Sequence, residues 1–181
     1  MEKQLGSLEI SLPESFFVFT PGAIFGPAKQ WPLEHFRTLA TLLHNVFGDP
    51  ILILGTEADV KSGAEISLGL EFVQNYCGQT SLSELLAILA KANLLVGNHS
   101  GSMHLMSELQ RPQISIFGST SPDWTAPINP NATVLSRNLS CSPCFSRTCR
   151  FAHYDCLKRI EPELVLEETL KLLTEKNQTE A

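Results

Sequence analysis

Aspartate is scarce in this chain, and basic charge is scarcer than acidic. The 181 residues include only Asp49, Asp59, Asp123 and Asp155, and no two of these form a D-x-D. This argues against a nucleotide-sugar site that chelates a divalent metal through paired aspartates. No H-E-x-x-H or G-x-S-x-G occurs either, so a serine hydrolase of the elbow type is not expected. Lys and Arg number 13 against 19 Asp and Glu, a formal net charge of -6. That balance argues against a broad nucleic-acid or anionic-membrane face, although one local basic pocket stays compatible with it. No stretch reaches the roughly 18 to 20 apolar residues that span a bilayer. The opening "MEKQLGSLEISLPES" lacks the basic start and apolar run of a signal peptide. The expected compartment is cytoplasmic, where the five cysteines would be reduced thiols.

Apolar residues make up 43% and charged residues 18%, a globular composition, and the length suits one domain with a real core. "FFVFT" (16–20), "ILILG" (51–55), a stretch within 70–78, "NLLVGN" (93–98), "QISIFG" (113–118) and "ATVLS" (132–136) read as strands. They are continuous apolar runs rather than alternating ones, as in strands buried on both faces. Helical patterns intervene. Pro32 sits at a helix start ahead of Leu33, Phe36, Leu39, Leu43, Val46 and Phe47, and Gly48 stops that helix. Ser81 and Glu84 form a capping box. A last helix starts near Pro162 and carries Leu164, Leu166, Leu170 and Leu173. The expected fold is α/β, a Rossmann-like parallel sheet with helices on both faces and right-handed crossovers. The expected organisation is a single domain over residues 1–181, with 1–15 a lead-in and 174–181 a flexible tail.

In such sheets ligands bind beyond the carboxyl ends of the strands. The stretch "VGNHSGSMH" (96–104) puts Ser100, Gly101, Ser102 and His104 where the fourth strand feeds a helix. Small residues let the backbone approach a ligand, and the free N–H groups and dipole at a helix start favour phosphate. The plainer reading is that Ser100 only caps the helix. Lys29 lies in G-x-x-x-G-x-x-K, which is not a P-loop but could deliver one ammonium to a phosphate. Glu57 follows a strand-end glycine, where a carboxylate can accept ribose hydroxyls or simply complement a helix start. Taken together, a lysine, a carboxylate and a helix N-terminus suit a nucleoside diphosphate.

Cys141, Cys144, Cys149 and Cys156 resemble metal-ligand spacing only loosely, because only the first pair is a tight knuckle. The reading adopted is reduced thiols in a compact loop, with no metal ligands.

"PGAIFGPAKQWP", "VGNHSGSMHL" and "PQISIFGSTSPDWTAP", in this order, closely resemble the C-terminal half of glycosyltransferase family 9, the family of the lipopolysaccharide heptosyltransferases. The first wording is most like the heptosyltransferase II branch, and "CSPCFSRTC" also looks like a stretch of some members. The likeness runs from about Phe16 to Leu173. It implies a GT-B architecture of two Rossmann-like halves, this chain being the half that holds the donor ADP-L-glycero-D-manno-heptose. It implies a lipopolysaccharide core acceptor at the inner face of the inner membrane and no cofactor or donor-binding metal. Lys29 would contact the diphosphate as the catalytic group that stabilises the leaving ADP, and Glu57 would bind the ribose. Ser100, Gly101, Ser102 and His104 would form the phosphate-facing helix start, and Thr20 and residues 118–121 would line the cleft. The family usually reads N-D-[ST]-G where this chain has Asn98-His99-Ser100-Gly101, so a carboxylate beside the donor is replaced. The chain is expected to lack the N-terminal domain that supplies the acceptor site and a general base. A non-catalytic nucleotide-binding or interaction module is the alternative.

Overall fold

A computed structural model describes residues 12–179. Six parallel strands form one sheet: β1 (Phe17–Thr20), β2 (Ile51–Ile53), β3 (Val73–Asn75), β4 (Leu94–Asn98), β5 (Gln113–Phe117) and β6 (Ala132–Ser136). Their spatial order is β3-β2-β1-β4-β5-β6. The order reverses between β1 and β4, which pair in register from Phe17 opposite Leu94 to Thr20 opposite Gly97. That reversal is the place where a doubly wound sheet opens a crevice.

Side chains alternate between the two faces along each strand, and both faces are covered. Phe17, Phe19, Ile51, Ile53, Leu94 and Val96 pack with Trp31, Phe36, Leu39 and Leu43. Those come from the loop after β1 and from α1 (Leu33–Phe47). Ile66 of α2 (Val60–Ser67) and Val165 of α7 (Pro162–Thr179) complete this layer. Phe16, Val18, Leu52, Leu54 and Leu95 face the other way, against Ile88 and Leu89 of α3 (Leu82–Lys91) and Met106 of α4 (Gly101–Glu108). Burial on both sides is why the strands read as unbroken apolar runs. Two short helices, α5 (Pro122–Thr125) and α6 (Asp155–Lys158), flank β6 in the chain.

The punctuation read from the sequence is present. Pro32 is the N-cap of α1, and Gly48 closes it with a left-handed φ of 76°. Ser81 and Glu84 exchange both capping-box bonds at the start of α3. Strand edges differ from expectation by a residue or two, most at β2, which ends at Ile53 rather than at residue 55, and the segment between β1 and α1, expected as loop, contains a 3-10 turn at Pro27–Lys29. α7 runs on to Thr179, where Glu, Lys, Gln and Thr include no helix breaker. The lead-in expected over 1–15 lies outside the described residues up to position 11.

Candidate functional site

A cavity of about 440 Å³ opens beyond the carboxyl ends of β1, β2, β3 and β4. Of the residues expected to bind ligand, it collects Thr20, Glu57, Ser100, Gly101 and Ser102. Each arrives by a different route. Thr20 ends β1 and is buried, and its hydroxyl has no hydrogen-bond partner within the protein. Glu57 opens the 3-10 turn Glu57–Asp59 after β2, with an exposed side chain. That turn is stabilised from within, because Asp59 Oδ2 accepts from the Thr56 N–H and hydroxyl, both at 2.8 Å. Ser100 is the N-cap of α4 in an extended conformation, yet its hydroxyl makes no cap bond. It meets the Ser102 hydroxyl at 3.0 Å instead. The plain capping role is therefore not the one the side chain plays, and the first amides of α4 stay available to a ligand.

Lys29 and His104 do not line this cavity. Lys29 Nζ lies 3.0 Å from His99 Nδ1, and His99 Nδ1 lies 2.8 Å from Thr120 Oγ1. The His104 ring stands edge-on to His99 at 6.2 Å. His99 immediately precedes Ser100, so this cluster flanks the start of α4 from the β5 side. An ammonium has no lone pair, so Nδ1 beside Lys29 must accept, which leaves the ring proton on Nε2. The ring also stacks on Phe117 at 4.4 Å, and Lys29 lies over Phe25 at 4.7 Å. Burial lowers the Lys29 pKa below its ordinary value. Burial first, then Lys29 and His104, push His99 down to about 4.

That depression predicts an acid-side loss of stability. Between about pH 6.5, the ordinary value, and about pH 4, the unfolded chain binds a proton that the folded ring refuses. The contribution is complete above this window and is lost as pH falls through it. The slope from this one group cannot exceed about 1.4 kcal/mol per pH unit, the limit for a single proton, and solvent screening keeps it below that. Urea midpoints measured down this range should fall less steeply for His99→Gln than for the parent.

Sequence reasoning missed two contributors. The loop after β3 supplies Gly78, Thr80 and Ser81 to the cavity, and α3 adds Leu82 and Leu85. The capping box at Ser81 marked a helix start directly after a strand, and that was the available signal. The second is Asn98, fully buried at the end of β4. Its Oδ1 accepts from the Trp31 N–H at 2.9 Å, and its Nδ2 donates to Pro21 O at 2.6 Å. Asn98 thus ties the loop after β1 to the end of β4. The cavity's apolar wall is formed by Leu54, Leu82, Leu85 and Leu105, with exposed Ile24 at its mouth.

Residues 2–155 match the family model described as glycosyltransferase family 9 (heptosyltransferase). The chain is 34% identical over 181 residues to lipopolysaccharide heptosyltransferase 2 of Salmonella typhimurium, covering 96% of this chain and 52% of that one. It is 36% identical over 160 residues to lipooligosaccharide heptosyltransferase 2 of Campylobacter jejuni, covering 85% of this chain and 50% of that one. Its fold matches the solved structure of Escherichia coli ADP-heptose lps heptosyltransferase II with a TM-score of 0.82 at 30% identity, covering 97% of this chain and 51% of that one. The chain spans about half the length of the curated relatives it matches. The family model matches most of the chain, and the chain belongs to glycosyltransferase family 9, the heptosyltransferase family.

Proposed function

We propose that this chain is the donor-binding half of a heptosyltransferase that transfers heptose from ADP-L-glycero-D-manno-heptose to a lipopolysaccharide core acceptor. The observation that carries the reading is the cavity at the sheet's reversal point. It combines unpaired polar groups with one apolar wall, as a nucleoside diphosphate requires. The apolar residues Leu54, Leu82, Leu85 and Leu105 suit a base. Glu57 is the one carboxylate with an exposed side chain on the lining and suits ribose hydroxyls. The start of α4 and the Thr20, Ser100 and Ser102 hydroxyls suit phosphate oxygens.

In the reaction the bond between the sugar's anomeric carbon and the diphosphate oxygen breaks, and a bond to an acceptor hydroxyl forms. The electron pair leaves with ADP, and this half stabilises it: the α4 amides from one side and the Lys29 ammonium from the other. Lys29 reaches the diphosphate by swinging from His99 toward the cavity on its flexible stem. The acceptor and the base that takes its proton belong to the partner GT-B half. No cofactor or donor-site metal enters, and the acceptor places the reaction at the cytoplasmic face of the inner membrane. No helix among the described residues is long and apolar enough to cross a membrane.

Calorimetric titration with ADP, ADP-heptose and UDP-sugars tests the reading. The adenine nucleotides should bind, and the protein should gain about 2.7 kcal/mol of stability at a hundredfold excess of ligand over Kd. Binding of a UDP-sugar with no response to either adenine nucleotide sinks the donor assignment.

A further inference from the structure

A second, smaller cavity lies apart from the first, on the other side of the turn that carries Lys29. Its volume is about 20 Å³, room for about one small ion or water. Cys141, Cys144, Cys149 and Cys156 all line it. All four are free thiols, and they come from a segment with little else to organise it. Residues 137–154, between β6 and α6, contain no regular element. Phe145, Ala152 and Tyr154 hold left-handed backbones there without being glycine. Stretches of that length without regular structure are uncommon in compact domains and are usually functional when ordered.

From this geometry we infer that Cys141, Cys144, Cys149 and Cys156 bind one thiolate-preferring divalent ion, zinc by ligand type, and that the ion staples the 137–156 lobe against the Lys29 turn. Four sulfur ligands with one C-x2-C knuckle fit a tetrahedral structural site. The surroundings group the sulfurs: the backbone N–H groups of Tyr154, Phe151, His153 and Ala152 lie around Cys149, and Cys156 sits beside Cys144, Cys149 and Cys141. Ser119 supplies an independent sign. It lines the same cavity, is 1% exposed, and its hydroxyl has no partner within the protein. A hydroxyl so placed can donate to a metal-bound sulfur.

As the side chains stand, no three His, Cys, Asp or Glu among the described residues form a ready coordination sphere. Binding therefore has to draw the four thiols inward, and the lobe should tighten as it does so. That movement is coupled to the Lys29 turn by backbone bonds. The Ala28 N–H donates to Arg147 O at 3.0 Å, and the Ser119 N–H to Ala28 O at 3.0 Å. The Cys144 and Phe145 N–H groups both donate to Ser119 O, at 3.0 and 2.7 Å. Gly26, at φ 140°, lets the turn come this close, since a Cβ there would fall 2.7 Å from Arg147 O.

The inference does not depend on what the larger cavity binds. Elemental analysis of the chain purified without oxygen should find one zinc or one iron per molecule, the two metals being told apart by the same measurement. Cys144→Ser and Cys149→Ser should lose it, and Cys77→Ala, which alters the one cysteine outside the cluster, should keep it. Because the variants could misfold, the parent chain stripped of metal gives a second readout. It should take up one equivalent of cobalt(II) with the intense visible bands of a tetrahedral thiolate complex, and trypsin cleavage at exposed Arg147 and Arg150 should slow. A chain with no stoichiometric metal and no such cobalt spectrum overturns the site. So does a disulfide among the four in the oxygen-free preparation.

Discussion

Replacing Asn98 by alanine should lower the melting temperature by roughly 4 to 24 °C. The side chain is fully buried and makes two bonds to main-chain groups of the loop after β1, accepting from Trp31 N–H and donating to Pro21 O. Alanine leaves both groups buried and unpaired, at about 1–3 kcal/mol each. In a domain of this size each kcal/mol corresponds to roughly 2–4 °C. Asn98→Asp separates this account from simple loss of volume. A carboxylate retains the bond to Trp31 but turns a second oxygen on Pro21 O, and it buries a charge. It should therefore be no more stable than the alanine variant. Thermal unfolding of the three proteins decides the matter, and an Asn98→Ala shift of under about 2 °C would show that the two loops hold together without this amide.

Under the proposed function, Lys29→Ala should weaken ADP binding by roughly 10- to 100-fold, the equivalent of one charge-assisted hydrogen bond of about 1.5–3 kcal/mol. The ammonium is partly withdrawn from water, packed over Phe25 and beside the neutral His99. Less solvation is then lost when it meets a phosphate. Glu57→Gln should cost less, since the side chain is exposed and a neutral amide still accepts one bond. Pairing the variants with 2′-deoxy-ADP makes the roles separable. The Glu57→Gln loss should shrink with the deoxy nucleotide, because the hydroxyl it acts on is gone, whereas the Lys29→Ala loss should be the same for both. If Lys29→Ala binds ADP like the parent, the lysine serves its local stack on Phe25 and His99 and not the diphosphate.

The sheet was legible because burial on both faces leaves a direct trace, unbroken apolar runs such as "ILILG" and "QISIFG". The helix ends were legible because Pro32, Gly48 and the Ser81–Glu84 pair act within one turn of chain. What the chain does not announce is which strands become neighbours. That depends on packing between segments far apart in sequence, so the contribution of the loop after β3 went unread. The contact of Lys29 with His99 spans 70 positions, and neither residue type in its own stretch signals the other. Asn98 was read as the end of a strand, and nothing local shows that its amide faces inward to hold the loop after β1. The four cysteines were read by spacing alone, which captures one knuckle and misses that the chain folds the remaining two onto the same small cavity.

The larger cavity is assembled from separate pieces, the loops after β1, β2 and β3 and the starts of α3 and α4, which the ladder of β3, β2, β1 and β4 holds side by side. A nucleotide lodged there would touch segments separated by some eighty positions of chain and could not be retained by any fragment of the sheet. Damage at the far end of a strand, well away from any ligand atom, would therefore register first as poorer retention of nucleotide and only later as visible unfolding.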